Sequence, residues 1–340
     1  MKYFSRLLNI SLISAFISTL MLTSFSHGTI IKKTPPIAAE SIAMLPASDA
    51  VAIVDVARIV NEFLPQFRAV APKEAAKFEK QITAFINETG IDPYKIKSAV
   101  VGLKINDSTI VSAIIEGVVF DPNRIITTVK AKDAKQEVKA LEYKGKKVFV
   151  VTSLKAAEKA GVNEEMAFTQ VDAERVAIGN LSGVKSVLDS GNGAANTALN
   201  SLLAQTNAGL LRFAANIPVS AKKGLSDQGD MFAQFGTVKT VFGSLDLTKE
   251  LSLLLDTKLR TSSSDEASKL QTSLAALVGL GKMFLGGNND PMMQGLIQVI
   301  DLVKIGAQDN EVSVSLMIPK TVFDHFAEAS QKKKSEKQSH

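Results

Sequence analysis

Two periodicities alternate along this chain, and they recur in the same order. Ile96–Gly117 reads IKSAVVGLKINDSTIVSAIIEG: a β-rich run, a polar turn at Asn106-Asp107-Ser108, then a second apolar run. Val238–Leu259 reads VKTVFGSLDLTKELSLLLDTKL and has the same layout around Thr248-Lys249-Glu250, at an offset of 142 without a gap. Each segment predicts an antiparallel hairpin. A strand precedes each hairpin, at Ala50–Val56 and at Gly209–Asn216, and helical sequence follows that strand. A capped helix comes after each hairpin. Asp121-Pro122 places an acid before a proline at the first helical position, and Ser263 with Glu266 has capping-box spacing. A second hairpin then returns, Val138–Tyr143 with Lys147–Thr152 in one half and Val303–Ala307 with Glu311–Pro319 in the other.

The helices show a 3.6-residue stripe. Ala75, Phe78, Ile82, Phe85 and Ile86 lie on one face between Pro72 and Gly90, and Leu270, Leu274, Leu277 and Val278 do the same in the second half. Strands joined by tight turns are antiparallel, and amphipathic helices cover one face of such a sheet. The expectation is an α+β protein of two similar modules, each a mostly antiparallel sheet covered on one face by helices. The first module spans 46–205 and the second 206–330.

The flanks differ in character. Lys2 and Arg6 precede an apolar run from Leu7 to Phe25 that ends in Ser24 and Ser26. This is the layout of a signal peptide over residues 1–26, with cleavage after Ser26. The rival reading is an uncleaved membrane anchor, since the run approaches the length of a span. Residues 27–45 read as a linker and 331–340 as a disordered basic tail. The expected location is periplasmic or extracellular after cleavage, or membrane-anchored if the segment stays.

Composition enters mostly by exclusion. With no cysteine, disulfides, thiolate metal sites, cysteine nucleophiles and a lipidated cysteine are all excluded. The +5 charge is misleading. Lys2 and Arg6 belong to the signal, and the last ten residues hold four lysines against one glutamate, so residues 27–330 balance to zero. No basic aromatic surface marks the fold for nucleic acid.

Three ordered blocks carry a resemblance: LPASDAVAIVDV from Leu45, FTQVDAERVAIGNLSGVKSVLD from Phe168, and TALNSLLAQTNAGLLRFAANI from Thr197. They are similar to an uncharacterised family of exported bacterial proteins known only as a domain of unknown function. A hairpin with an acidic turn (Val171–Glu174), a helix (Ser182–Leu188) and a new strand recur there in this order. The resemblance spans roughly residues 41–320 and implies export and the duplicated α+β architecture. It implies no activity.

Candidate chemistry is sparse. His325 is the one histidine inside the folded segments, so a histidine triad would rest on it alone, and no Gly-x-Ser-x-Gly elbow accompanies it. Ser-x-x-Lys occurs at Ser182/Lys185, Ser220/Lys223 and Ser330/Lys333. Serine and lysine are common enough here for chance to supply all three. Ser220 is the most tempting, but Val241 stands where a glycine should follow Lys239-Thr240. The glycine-rich stretch at Gly279–Met283 lacks the residues of a phosphate loop or a dinucleotide fingerprint. Asp107 with Asp121, and Asp246 with Asp256, are the carboxylate pairs that hairpins bring near each other. No catalytic set, cofactor site or metal site is assigned.

One segment departs from the repeat. Where the first half has a short helix, the second has a helical hairpin, Asp265–Leu285 and then Asp290 to about Ile300. Met283, Phe284, Leu285, Met292 and Met293 surround its turn. These residues form the candidate contact tip, because flexible apolar side chains suit an adaptable surface. The expected function is a non-enzymatic binding or scaffold module of the cell envelope. Its partner would be an envelope protein or an apolar ligand, and membrane contact is confined to the N-terminus or this tip. The alternatives are a carrier of a lipid or other apolar ligand, with a cavity lined by Phe78, Phe85, Ile114 and Leu253, and a serine hydrolase.

Overall fold

The structure, a computed structural model, describes residues 39–105, 109–132, 137–152, 165–190, 194–218, 233–286 and 291–322. The fold is α+β, and every strand pairing given below is antiparallel. The signal segment, the Asn106–Ser108 turn, Ser220, His325 and the basic tail lie outside the described residues. The chain divides into two compact units, one running to Ala204 and one from Gln205.

The described residues of the first unit begin with α1 (Ala39–Ala43) and β1 (Ala50–Val54). Its next helices are α2 (Val56–Arg58), α3 (Leu64–Val70) and α4 (Pro72–Thr89), with a π-helical turn at Ile59–Phe63 between α2 and α3. The sequence predicts a linker up to residue 45, but residues 39–45 are part of the fold. Ile42 and Leu45 are buried, and Asn196 Nδ2 donates to the carbonyls of Leu45 and Pro46. Along α4, Ala75 and Ile82 are buried while Phe78, Phe85 and Ile86 are half-buried, and Gly90 ends the helix in the left-handed region.

β2 (Ser98–Ile105) and β3 (Thr109–Glu116) form the predicted hairpin. α5 (Pro122–Lys132) follows, with the Asp121 carboxylate accepting from the Asn123 amide as the sequence predicts. β4 (Glu137–Tyr143) and β5 (Lys146–Thr152) turn through Lys144 and Gly145, both at positive φ. A further hairpin, β6 (Met166–Gln170) and β7 (Arg175–Asn180), leads into α6 (Leu181–Asp189) and α7 (Thr197–Leu203). The sheet order of this unit is β1-β2-β3-β7-β6-β5-β4.

β7 lies beside β3. One expectation is corrected here: helices cover both faces of the β5–β7 region rather than one. Phe149, Val151 and Phe168 pack with Val129 of α5, whereas Val148 and Val150, which alternate with them along β5, pack with Val184 of α6. Four consecutive buried residues, Val148–Val151, are what a strand covered on both sides requires.

Asn180 fixes the β3–β7 joint. It is fully buried, accepts from the amides of Val111 and Gly183, and donates to the Thr109 carbonyl. Glycines make the approach possible, since a Cβ at Gly179 or Gly183 would come within 2.1 Å of the Val111 carbonyl oxygen.

The second unit contains β8 (Leu211–Asn216), β9 (Thr240–Leu247) and β10 (Leu253–Arg260). Next come α8 (Ser264–Gly286), α9 (Pro291–Asp301), β11 (Lys304–Gln308) and β12 (Glu311–Ile318). The sheet order is β8-β9-β10-β12-β11. The predicted cap of α8 is present with its return arm shifted by one residue. Ser263 Oγ accepts from the Glu266 amide, while the Glu266 carboxylate accepts from the Ser262 amide.

The gapless 142-residue offset holds for only one strand of the repeated hairpin. β2 and β9 correspond at that offset, but Glu116 and Arg260, the partners of Ser98 and Thr240, lie 144 apart. The second turn is longer by two residues and is closed by Thr248, whose carbonyl accepts from Leu251 and whose hydroxyl accepts from the Ser252 amide. Leu251, expected in the strand, sits in this turn at a φ of 61° and is buried.

Candidate functional site

The candidate contact tip stands at the end of a helical hairpin rooted in the core of the second unit. On α8, Ala267 and Leu270 are fully buried and pack with Val238 and Val312, with Leu274 and Ile305 beside them. Beyond that point α8 runs against α9, and the helices approach closely where a Cβ on Gly281 would stand 3.3 Å from Ile300 Cδ1. Lys282 pairs with Asp301 at 2.6 Å. Val299 and Leu302 at the far end of α9 rejoin the core at Leu253, Ile318 and Val322.

Met283 is 78% exposed and Phe284 is 83% exposed. Leu285 and Met293 are half-buried. Met292 lies in the first turn of α9, and its side chain is outside the described set, as are residues 287–290. The proposed tip residues therefore separate into an exposed pair and two half-buried supports. Among the described residues, no helix is long and apolar enough to cross a membrane.

A second feature has no counterpart in the sequence reading. The unit-one sheet carries an open recess of about 560 Å³, lined by Val119, Phe120, Pro122, Gly145, Lys146, Lys147, Phe149, Gln170, Asp172 and Ala173. Its walls are tied together. Gln170 Nε2 donates to the carbonyls of Val118, Asp172 and Arg175, which fastens the chain entering α5 to the β6–β7 turn. The Asp172 carboxylate accepts from the amides of Glu174 and Arg175 and pairs with the Arg175 guanidinium at 2.8 Å. Burial pushes the Arg175 pKa down, but the hydrogen bond and charge of Asp172, with Glu40 beyond, raise it overall.

The β4–β5 turn is anchored on its other side. Lys144 Nζ meets Asp189 at 2.7 Å, and the Tyr143 hydroxyl donates to the same carboxylate. These two bonds hold the Asp189 pKa below the ordinary carboxylate value.

The other candidates do not converge. Lys185 lies over the Tyr143 ring, 5.4 Å from its centroid, while Ser182 Oγ donates to Asn180 Oδ1 at 3.5 Å. Asp246 lies opposite Leu254 and Asp256 opposite Ser244. They are diagonal neighbours, and the Asp256 carboxylate accepts from Asn207 Nδ2. Of the residues proposed to line one apolar cavity, Ile114 and Leu253 are buried in different units, and Phe78 and Phe85 are half-buried on α4. Among the described residues, no three metal-ligating side chains cluster.

No family model matches the chain, and no curated protein matches it. Solved structures of TP0453, a Treponema pallidum protein, are similar in fold. Crystal form I matches with a TM-score of 0.39 and 9% identity, covering 88% of this chain and 98% of the other. Crystal form III matches at 0.43 and 7%, covering 86% and 97%, and crystal form IV at 0.43 and 7%, covering 86% and 98%. The likeness is one of fold.

Proposed function

We propose that this protein is a non-enzymatic binding module of the cell envelope whose contact element is the end of the α8–α9 hairpin. The observation that carries this reading is the adjacent exposure of Met283 and Phe284 on a helix whose last residue in the described sheet-facing cluster is Leu274. Burying such a pair favours association with an apolar groove on a partner protein, and methionine adapts to the groove's shape. Between Leu270 and Ile300 the charges are Lys282 and Asp290 alone. That sparseness favours a protein groove over an anionic lipid surface, where interfacial helices carry many cations. Export rests on the Lys2–Ser26 segment. An internal duplication is part of the same reading, supported by the common order of five strands, β1-β2-β3-β7-β6 and β8-β9-β10-β12-β11.

The test places a photo-crosslinking residue at position 284 of the full chain in its native envelope. The expected result is one discrete crosslinked protein, lost when Met283→Asp is added, with the thermal midpoint of the double variant unchanged. Sedimentation of the protein with phosphatidylcholine vesicles, abolished by Met283→Asp with Phe284→Asp, would replace the protein partner by a lipid surface.

A further inference from the structure

We infer that the unit-one recess is a binding site for amphiphilic organic anions, with an aromatic or aliphatic body and one carboxylate, sulfonate or phosphate group. The inference is independent of the hairpin reading, since no recess residue lies in α8 or α9.

The floor supplies the apolar half of the recognition. Phe120 and Phe149 line the recess, each packed against Phe168 with ring centroids 5.3 Å apart. Val119 at the mouth is 72% exposed, an apolar side chain that a ligand's body would cover. The volume lies within the range that holds small organic ligands. Its openness favours a flat body with one side left in water.

The rim supplies the charge. Lys146 and Lys147 follow the β4–β5 turn, and Lys147 shares its strand face with Phe149. Neither lysine has an ion pair among the described residues, whereas Lys144, two positions before Lys146, is committed to Asp189. Asp172, the acid in the lining, is held by Arg175, and Glu142 stands opposite Lys147 across the hairpin and is exposed. Of the acids next to lining residues, Glu174 is paired with Lys97, and the Asp121 carboxylate accepts from the Asn123 amide at the start of α5. The two lysines thus stand among two carboxylates already paired, one engaged at a helix start and one facing water. A ligand anion at the lysines, with its body over the phenylalanines, gains a charge-assisted contact and apolar burial together.

The probe is 8-anilinonaphthalene-1-sulfonate added to the full chain, followed by fluorescence and by amide chemical shifts. One site per chain is expected, with shifts at the Gly145 amide and the Gln170 side-chain amide. Lys147→Glu with Lys146→Glu should weaken it about tenfold or more. Uncharged N-phenyl-1-naphthylamine should bind more weakly than the sulfonate and be insensitive to that charge reversal. Val119→Asp gives a second route to the same loss at a position whose exposure keeps the fold intact. The inference is overturned if affinity survives both variants, or if the neutral probe binds as well as the sulfonate. It is equally overturned if the signal disappears only in Met283→Asp with Phe284→Asp.

Discussion

Helical segments follow both the β2–β3 and the β9–β10 hairpin, and they differ in how much of their length meets the sheet. In the first, α5 has 11 residues and sends Ile125, Ile126 and Val129 into the cluster around Phe120, Phe149 and Phe168. In the second, α8 and α9 have 23 and 11 residues, yet among the described residues α8 contributes to the sheet-facing cluster only as far as Leu274. About three helical turns are enough to cover this kind of sheet. The remaining hairpin closes mainly on itself and leaves Met283 and Phe284 in solvent. Length beyond what the core needs is therefore the physical feature behind the proposed contact element.

The contrast is most sharply broken by truncation. Leu270→Ala should cost about 2–5 kcal/mol in urea unfolding, as large-to-small changes in a packed core do. Phe284→Ala should stay within about 0.5 kcal/mol of the parent. Equal losses at the two positions would make the hairpin end part of the core. The caps come next. Asp121→Ala and Ser263→Ala should each cost about 1 kcal/mol by calorimetry. A larger loss at Ser263 would mean that the long hairpin depends on its start more than the short helix does.

Smaller still is the glycine pair on α8. A methyl group at Gly279 would point into open space, so Gly279→Ala should stabilise by about 0.5–1 kcal/mol through helix propensity. Gly281→Ala should gain less, because Ile300 must yield. An equal gain at both positions would show that α8 and α9 are loosely packed there.

The smallest effect is electrostatic. Burial pushes the Glu311 pKa up, but Lys258 and Arg260 overcome this and hold it below the ordinary value. A depressed pKa stabilises the fold above the unfolded carboxylate pKa, and that stability is lost as pH falls through the folded value. Between about pH 6 and pH 3, a range that brackets the ordinary glutamate pKa, the urea midpoint of the parent should fall further than that of Glu311→Gln.

Much of this architecture is legible in the residues themselves. The Asp121-Pro122 and Ser263/Glu266 signals mark real helix starts, and the Lys144-Gly145 turn sits where the sequence predicts. Periodicity does not reveal the β6–β7 hairpin, because MAFTQ and RVAIGN are buried on both faces and show no polar–apolar alternation. Leu251 misleads for a related reason. A buried leucine next to a strand reads as strand, although its backbone is left-handed inside a turn. The exposed pair at the contact tip can be proposed from composition, but which apolar residues face water depends on helix pairing. The recess is not legible at all, since its lining comes from three segments, distant in sequence, that are brought together by sheet order, the Gln170 side chain and the packing of Phe120 and Phe149 on Phe168.

The buried Asn180 has a practical consequence for producing this protein. Asn180-Leu181-Ser182 is an acceptor sequence for N-glycosylation, and in a eukaryotic secretory pathway it would be offered to the modifying enzyme before folding. A sugar on Nδ2 would occupy the atom that donates to Thr109 and would have no room beneath Val111. Modified chains could not close the β3–β7 joint, whereas a glycan on Asn87, exposed on α4, would be carried harmlessly. Expression in a host that does not glycosylate, or with Ser182→Ala, removes that competition.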